Sequence, residues 1–142
     1  MFECRVEADF SAAHFLRDYN GKCENLHGHN YKVYAHVRGS ELNEGGMLLD
    51  FSCLKNALRA VTKKLDHTNL NDLRDSNGND IFMQNPSAER IAYYIFNEIL
   101  SELQAQGINL KKQEALKEGV MPYLYAVDVF ETDTSRARYC ID

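Results

Sequence analysis

HGHNYKVYAHVR, residues 27–38, carries its apolar side chains at Tyr31, Val33, Ala35 and Val37 and sets Lys32, His36 and Arg38 between them. That period of two is the mark of a half-buried strand. If the strand begins near Leu26, His27 and His29 fall on the same face as Tyr31 and Val33, because alternate residues of a strand point the same way. A second run of this kind lies upstream. Phe2, Cys4, Val6, Ala8 and Phe10 alternate with Glu3, Arg5, Glu7 and Asp9, and the parity continues through Ala12 to His14. Three imidazoles are thus expected to face inward from two neighbouring strands.

Further along the chain the period changes. GSELNEGG (39–46) reads as a turn region and MLLDF (47–51) as a short strand. Leu54, Ala57, Leu58, Val61 and Leu65 recur at helical spacing after Ser52, a candidate N-cap, so a helix is expected to about Asp66. RDSNGND (74–80) is a loop. Pro86 suits the first turn of a second helix whose apolar face carries Ala92, Ile95, Phe96, Ile99 and Leu103. QGINLKKQEALKEG (106–119) reads as a solvated connection. Alternation returns from Tyr123 to Glu131, with Tyr125, Val127, Val129 and Glu131 on one face, and a last short strand is expected over 138–141. Strands, two helices, then strands predict an α+β fold, an antiparallel sheet with two helices on one face.

The 142 residues and 16.3 kDa suit one domain spanning 1–142. A net charge of −5 without a basic block argues against a nucleic-acid surface. No apolar run approaches the roughly 20 residues that span a bilayer, and the amino terminus has no continuous apolar segment of the signal-peptide kind. A cytoplasmic protein without a membrane partner is expected, with Cys4, Cys23, Cys53 and Cys140 as thiols. Cys4 and Cys53 read as small core residues, and Tyr93 and Tyr94 as core aromatics.

Neutral imidazoles converge in a core when something coordinates them, and three histidines with an open fourth position is a common way to hold catalytic zinc. His14, His27 and His29 are therefore the candidate metal ligands. Cys23 could complete a structural site, although Cys-x-x-x-His-x-His is not a usual structural-finger spacing. Asp66 beside His67 offers a carboxylate that orients an imidazole, or simply a helix-terminal turn. Glu131 is a carboxylate at the end of an apolar face, where an unpaired charge is costly. Glu89 has a plain explanation as an acid in the first turn of a helix. A zinc-binding module without turnover would keep the histidines and Glu131 but would not need Cys23 together with Asp66 and His67.

FSAAH, CENLHGHNYKV, LLDFSCLK, LDHTNLND, PSAE and VFETD occur here in the order and spacing that resemble the family of 6-pyruvoyl- and 6-carboxytetrahydropterin synthases, over nearly the whole chain. The resemblance implies a tunnelling fold, with barrels closed by oligomerisation as a trimer or dimer of trimers. It implies zinc on His14, His27 and His29, Cys23 as the proton-abstracting thiol, Asp66 and His67 as its relay, Glu131 as the pterin anchor, and Glu89 as a second acid of the pterin pocket. Glu24, Asn25 and Leu26 separate Cys23 from the histidine pair, a spacing similar to the carboxy branch. That branch implies conversion of 7,8-dihydroneopterin triphosphate to 6-carboxy-5,6,7,8-tetrahydropterin, with loss of acetaldehyde and triphosphate, in queuosine and deazapurine synthesis. Glu24 also falls where another bacterial branch, lacking the cysteine, uses glutamate to cleave the side chain toward 6-hydroxymethyldihydropterin and folate. A pyruvoyl product is the remaining alternative.

Overall fold

A computed structural model describes residues 1–114 and 116–142; Ala115, in the expected solvated connection, lies outside them. Strands β1 (Phe2–His14) and β2 (His27–Gly39) pair antiparallel along their whole length, from Phe2 opposite Gly39 to His14 opposite His27. Helix α1 (Phe51–Leu65) follows, then the two-residue strand β3 (Thr68–Asn69), helix α2 (Ala88–Ala105), β4 (Tyr123–Thr132) and β5 (Ser135–Cys140). The sheet order is β3-β1-β2-β4-β5, antiparallel except where β3 joins β1. Both helices lie against one face of this sheet, which is the expected α+β architecture.

Alternation decides which residues meet them. Val6, Phe10, Ala12 and His14 of β1 are buried with Tyr31, Val33, Ala35 and Val37 of β2, against Leu54, Ala57, Leu58, Val61 and Leu65 of α1 and Ala92, Ile95, Phe96, Ile99 and Leu103 of α2. Each large side chain fully buried in this way contributes about 1.5–3 kcal/mol. Cys4 and Cys53 are only partly buried, at the outer end of β1 and in the first turn of α1, and all four thiols are free. Tyr93 is half exposed. Among the described residues no helix is long and apolar enough to cross a membrane.

Element boundaries differ from expectation where side chains compete for backbone groups. Residues 47–50 form no strand, because Asp50 caps α1 and commits Phe51 to the helix. Its carboxylate accepts from the Ser52 N–H at 2.8 Å, so Asp50 and not Ser52 is the N-cap. Ser87 caps α2, its hydroxyl accepting from the Arg90 N–H at 3.3 Å, and Pro86 stands just before the helix rather than in its first turn. Between Tyr123 and Ala126 the register of β4 against β2 slips at Tyr125. Leu124 thereby takes the core position opposite Val37, and Tyr125 turns out under the Arg38 guanidinium, 3.4 Å from its ring centroid. The last strand begins at Ser135, because β4 and β5 are joined by a tight turn over residues 133–134.

Candidate active site

The full-length pairing of β1 and β2 brings His14, the last residue of one, opposite His27, the first of the other, and the pleat sets His29 on the same side. Their rings lie 4.5, 4.9 and 5.1 Å apart between centroids, and one nitrogen from each falls within 4.8 Å of the others. Two backbone carbonyls fix the tautomers. His14 Nδ1 donates to the Pro86 oxygen at 2.8 Å and His27 Nδ1 to the Asn25 oxygen at 2.7 Å, which leaves each Nε2 with a free lone pair. His14 Nε2 is buried without any hydrogen-bond partner. Burial pushes the His14 pKa down, against the upward pull of the Pro86 carbonyl and Glu131, so the ring is held in the neutral form a cation needs. Three converging imidazole nitrogens, two of the rings oriented by carbonyls and one nitrogen orphaned and buried, fit a bound metal ion.

Tyr31 forms the floor. Its ring stacks on Phe10 at 4.7 Å and meets His14 and His29 edge-on, and its buried hydroxyl has no partner. Burial first, and then the charge of Glu131, raises its pKa, so it stays a neutral phenol.

Glu131 reaches the same place from β4. The pairing of β4 with β5 slips between Phe130 and Thr132, leaving Glu131 as the extra residue of a bulge, a device that re-aims side chains beside active sites. Its Oε1 lies 3.6 Å from His14 Nε2. Glu131 also lines a cleft of about 200 Å³ with Leu16, Ser87, Glu89, Arg136 and Ala137. The structure therefore brings the three histidines, Glu131 and Glu89 to one end of the sheet.

Cys23 sits in a short 3₁₀ turn, Lys22–Glu24, and its carbonyl accepts from the Leu16 N–H at 2.7 Å. Its sulfur is not one of the donors clustered with the three histidines. Glu24 bends back into its own loop, its carboxylate accepting from the Tyr19 N–H at 3.2 Å.

Asp66 and His67 are paired, Oδ2 to Nδ1 at 2.8 Å. The Ser11 backbone fixes both, its N–H donating to Asp66 Oδ1 at 2.8 Å and its carbonyl accepting from the His67 N–H at 2.6 Å. The Ser11 N–H, then the His67 imidazole, hold the Asp66 carboxyl below the usual carboxylate range. His67 adopts a left-handed backbone, φ 56°, and its side chain is 83% exposed. It borders a shallow groove with Ser11, Ala13, Gly28 and Asn30, which alternate away from the three histidines, and with His29 itself. The Asp66–His67 pair is thus fastened to Ser11, a position that alternates away from His14, and His29 is the cluster member that shares its groove.

Sequence reasoning left three contributors unassigned. The Pro86 carbonyl carries no side-chain signature. Asn71 and Asn85 each hydrogen-bond the segment after β1 from a distant stretch of chain. On the other face, Asp128 accepts two hydrogen bonds from Arg138, at 2.7 and 2.9 Å, and one from His36 at 2.7 Å. The alternation of β2 and β4 gave the side of His36 and Asp128, but not their pairing.

The arrangement defines a class, a three-imidazole site with carboxylates at the mouth of an antiparallel sheet. A profile of the family described as 6-pyruvoyl tetrahydropterin synthase matches residues 3–141, and the chain belongs to that family. It is 36% identical over 138 residues, covering 94% of this chain and 88% of the other, to a Synechocystis protein named 6-carboxy-5,6,7,8-tetrahydropterin synthase. A Bacillus subtilis protein of the same name is 38% identical over 103 residues, 72% of this chain and 68% of that one. Such synthases are enzymes of the lyase type. The structure of a Caenorhabditis elegans 6-pyruvoyl tetrahydropterin synthase superposes with a TM-score of 0.73 at 25% identity, over 99% of this chain and 96% of that one.

Proposed function

We propose that the protein converts 7,8-dihydroneopterin triphosphate to 6-carboxy-5,6,7,8-tetrahydropterin, acetaldehyde and triphosphate, feeding deazapurine and queuosine synthesis in the cytoplasm. The observation that carries this reading is the convergence of His14, His27 and His29 with Glu131 beside the loop that bears Cys23. His14, His27 and His29 would hold zinc, which when bound polarises the hydroxyls of the pterin side chain and acidifies the neighbouring C–H groups. Glu131 accepts from the guanidine-like edge of the pterin, which offers paired N–H donors to a carboxylate. Glu89, on the same cleft, closes the ring's other side. Cys23 as thiolate removes the side-chain proton. The Asp66–His67 pair passes protons as the ring gains hydrogen, and no external reductant is consumed.

The active molecule is a homo-oligomer. The cleft beside Glu131, about 200 Å³, falls below the roughly 300–1,000 Å³ of ordinary small-molecule pockets, so one chain encloses only part of a ligand. β5 leaves an open sheet edge, which closure with further copies would pair. A neighbouring copy would also bring its own Asp66–His67 pair to the site.

The experiment is incubation of the purified protein with dihydroneopterin triphosphate and mass identification of the products. 6-Carboxytetrahydropterin with acetaldehyde is expected. A 6-hydroxymethyldihydropterin product would reassign the chemistry to Glu24, a reading its bond to Tyr19 disfavours; a pyruvoyl product would reassign the branch. Stoichiometric pterin or zinc binding without turnover would leave only a binding module.

A further inference from the structure

Phe15, Leu16 and Arg17 connect the end of β1 to the loop carrying Cys23, and they lie beyond the paired length of the sheet. Their backbone groups are nevertheless bonded in a strand-like pattern. The Phe15 N–H donates to Asn71 Oδ1 at 2.9 Å, and the Phe15 carbonyl accepts from Asn71 Nδ2 at 3.0 Å. Two residues on, the Arg17 N–H donates to Asn85 Oδ1 at 2.7 Å, and the Arg17 carbonyl accepts from Asn85 Nδ2 at 3.1 Å. Leu16, between them, donates to the Cys23 carbonyl. A carboxamide presents an acceptor and a donor in one plane, as a peptide unit does, so each asparagine stands in for a residue of a neighbouring strand.

Each tether is rooted in a different part of the site. Asn71 lies in the 3₁₀ turn Leu70–Asp72, just after the Asp66–His67 pair, and is 1% exposed. Asn85 immediately precedes Pro86, whose carbonyl fixes the His14 tautomer. The Arg17 guanidinium adds to this second tether by donating to the Gln84 carbonyl and lying 3.5 Å from Asp80. The 15–17 segment is therefore a splint to which the cysteine turn, the aspartate–histidine turn and the loop before α2 are each fastened.

We propose that Asn71 and Asn85 are positioning residues, which fix the 15–17 segment and through it set the place of Cys23 relative to the three imidazoles. The proposal rests on the reading of Cys23 as the proton-abstracting thiol. A displacement of about 1 Å in such a group costs on the order of a hundredfold in rate. That sensitivity gives a reason for fixing the segment with two-point amide bonds, where a one-point bond would let it pivot.

Asn85→Asp and Asn71→Asp keep size and the acceptor for the N–H but replace the donor with an oxygen set against a carbonyl. The test is alkylation of the zinc-loaded protein by iodoacetamide, resolved by peptide mass, with Cys4, Cys53 and Cys140 as references in the same chain. The alkylation rate of Cys23 should change by about threefold or more while the three references stay within about twofold. With dihydroneopterin triphosphate, kcat should fall by about tenfold or more and KM move by less than about threefold, at unchanged zinc content. Unchanged Cys23 alkylation and kcat, or a uniform rise at all four cysteines, overturns the proposal in favour of plain loop anchoring. If Asn71→Asp does not fold, Asn85→Asp decides alone. If the wild type makes no product, the functional reading fails, and the alkylation comparison still decides whether the asparagines place Cys23.

Discussion

His14 Nε2 presents a buried lone pair with no donor beside it among the described residues, the state in which a nitrogen gains most from a cation. His27→Ala or His29→Ala should each lower zinc affinity by about a hundredfold or more, read by metal analysis after dialysis, with the far-ultraviolet circular dichroism unchanged. The fold survives because the core of Val6, Phe10, Leu58, Ile95 and Val127 is continuous without the metal. Stoichiometric zinc in both variants would sink the assignment. Tyr31 allows a second test. Its hydroxyl is desolvated and unpartnered, so Tyr31→Phe should leave the metal-free protein as stable or up to about 1 kcal/mol more stable. A loss of more than about 1 kcal/mol in a denaturant titration would mean that the hydroxyl has a partner. The histidine site was legible in the sequence because strand parity alone places residues 14, 27 and 29 on one face. The asparagine tethers were not, since Asn71 and Asn85 act across long stretches of chain and leave no local pattern.

At the scale of elements, β1, β2 and the buried faces of both helices followed from periodicity, which is a local property. Bulges and caps did not, because they are settled by what lies across the sheet or by which of two neighbouring side chains reaches the free N–H. Tyr125 illustrates the first, turned outward by a slip against β2, and Asp50 in place of Ser52 the second. The bulge at Glu131 has the same origin, yet its parity still marked the residue as unusual. Asp128 shows what cross-strand pairing adds. Burial raises the pKa of its carboxyl, but the hydrogen bonds from Arg138 and His36 outweigh that and hold it below its ordinary value of 3.8. A depressed carboxyl contributes stability above its unfolded pKa and loses it as the pH falls through the folded value. Asp128→Asn should therefore cost about 3 kcal/mol at neutral pH, and the gap from wild type should close progressively as the pH drops below 3.8. Denaturant titrations at several acidic pH values measure it; a gap that stays constant would exclude the ion pair as its source.

The whole molecule raises a question of assembly, because the Asp66–His67 pair is fastened to Ser11, a strand position that alternates away from the buried His14. The three histidines and Glu131 gather at one end of the β1–β2 pair, whereas His67 is 83% exposed in a groove lined by Ser11, Ala13, Asn30 and His29. The turn that bears Asp66 and His67 is pinned to the Ser11 backbone, whose N–H holds the Asp66 carboxylate and whose carbonyl holds the His67 N–H. On the proposed assembly, a catalytic unit would take the cysteine and histidines of one chain and the Asp66–His67 pair of another. Cys23→Ala and His67→Ala should each be inactive as pure oligomers. Co-expressed in equal amounts with different tags and purified for both, they should regain about one third of wild-type activity as a trimer, or about one quarter as a dimer of trimers, since a site is complete only where a His67→Ala chain meets a Cys23→Ala neighbour in the right order. If both groups acted within one chain, every site of the mixed oligomer would carry a defect and no activity would return. The two outcomes differ by the whole of the signal, so the measurement decides directly whether the histidine cluster and the Asp66–His67 pair of one chain belong to the same site or to two.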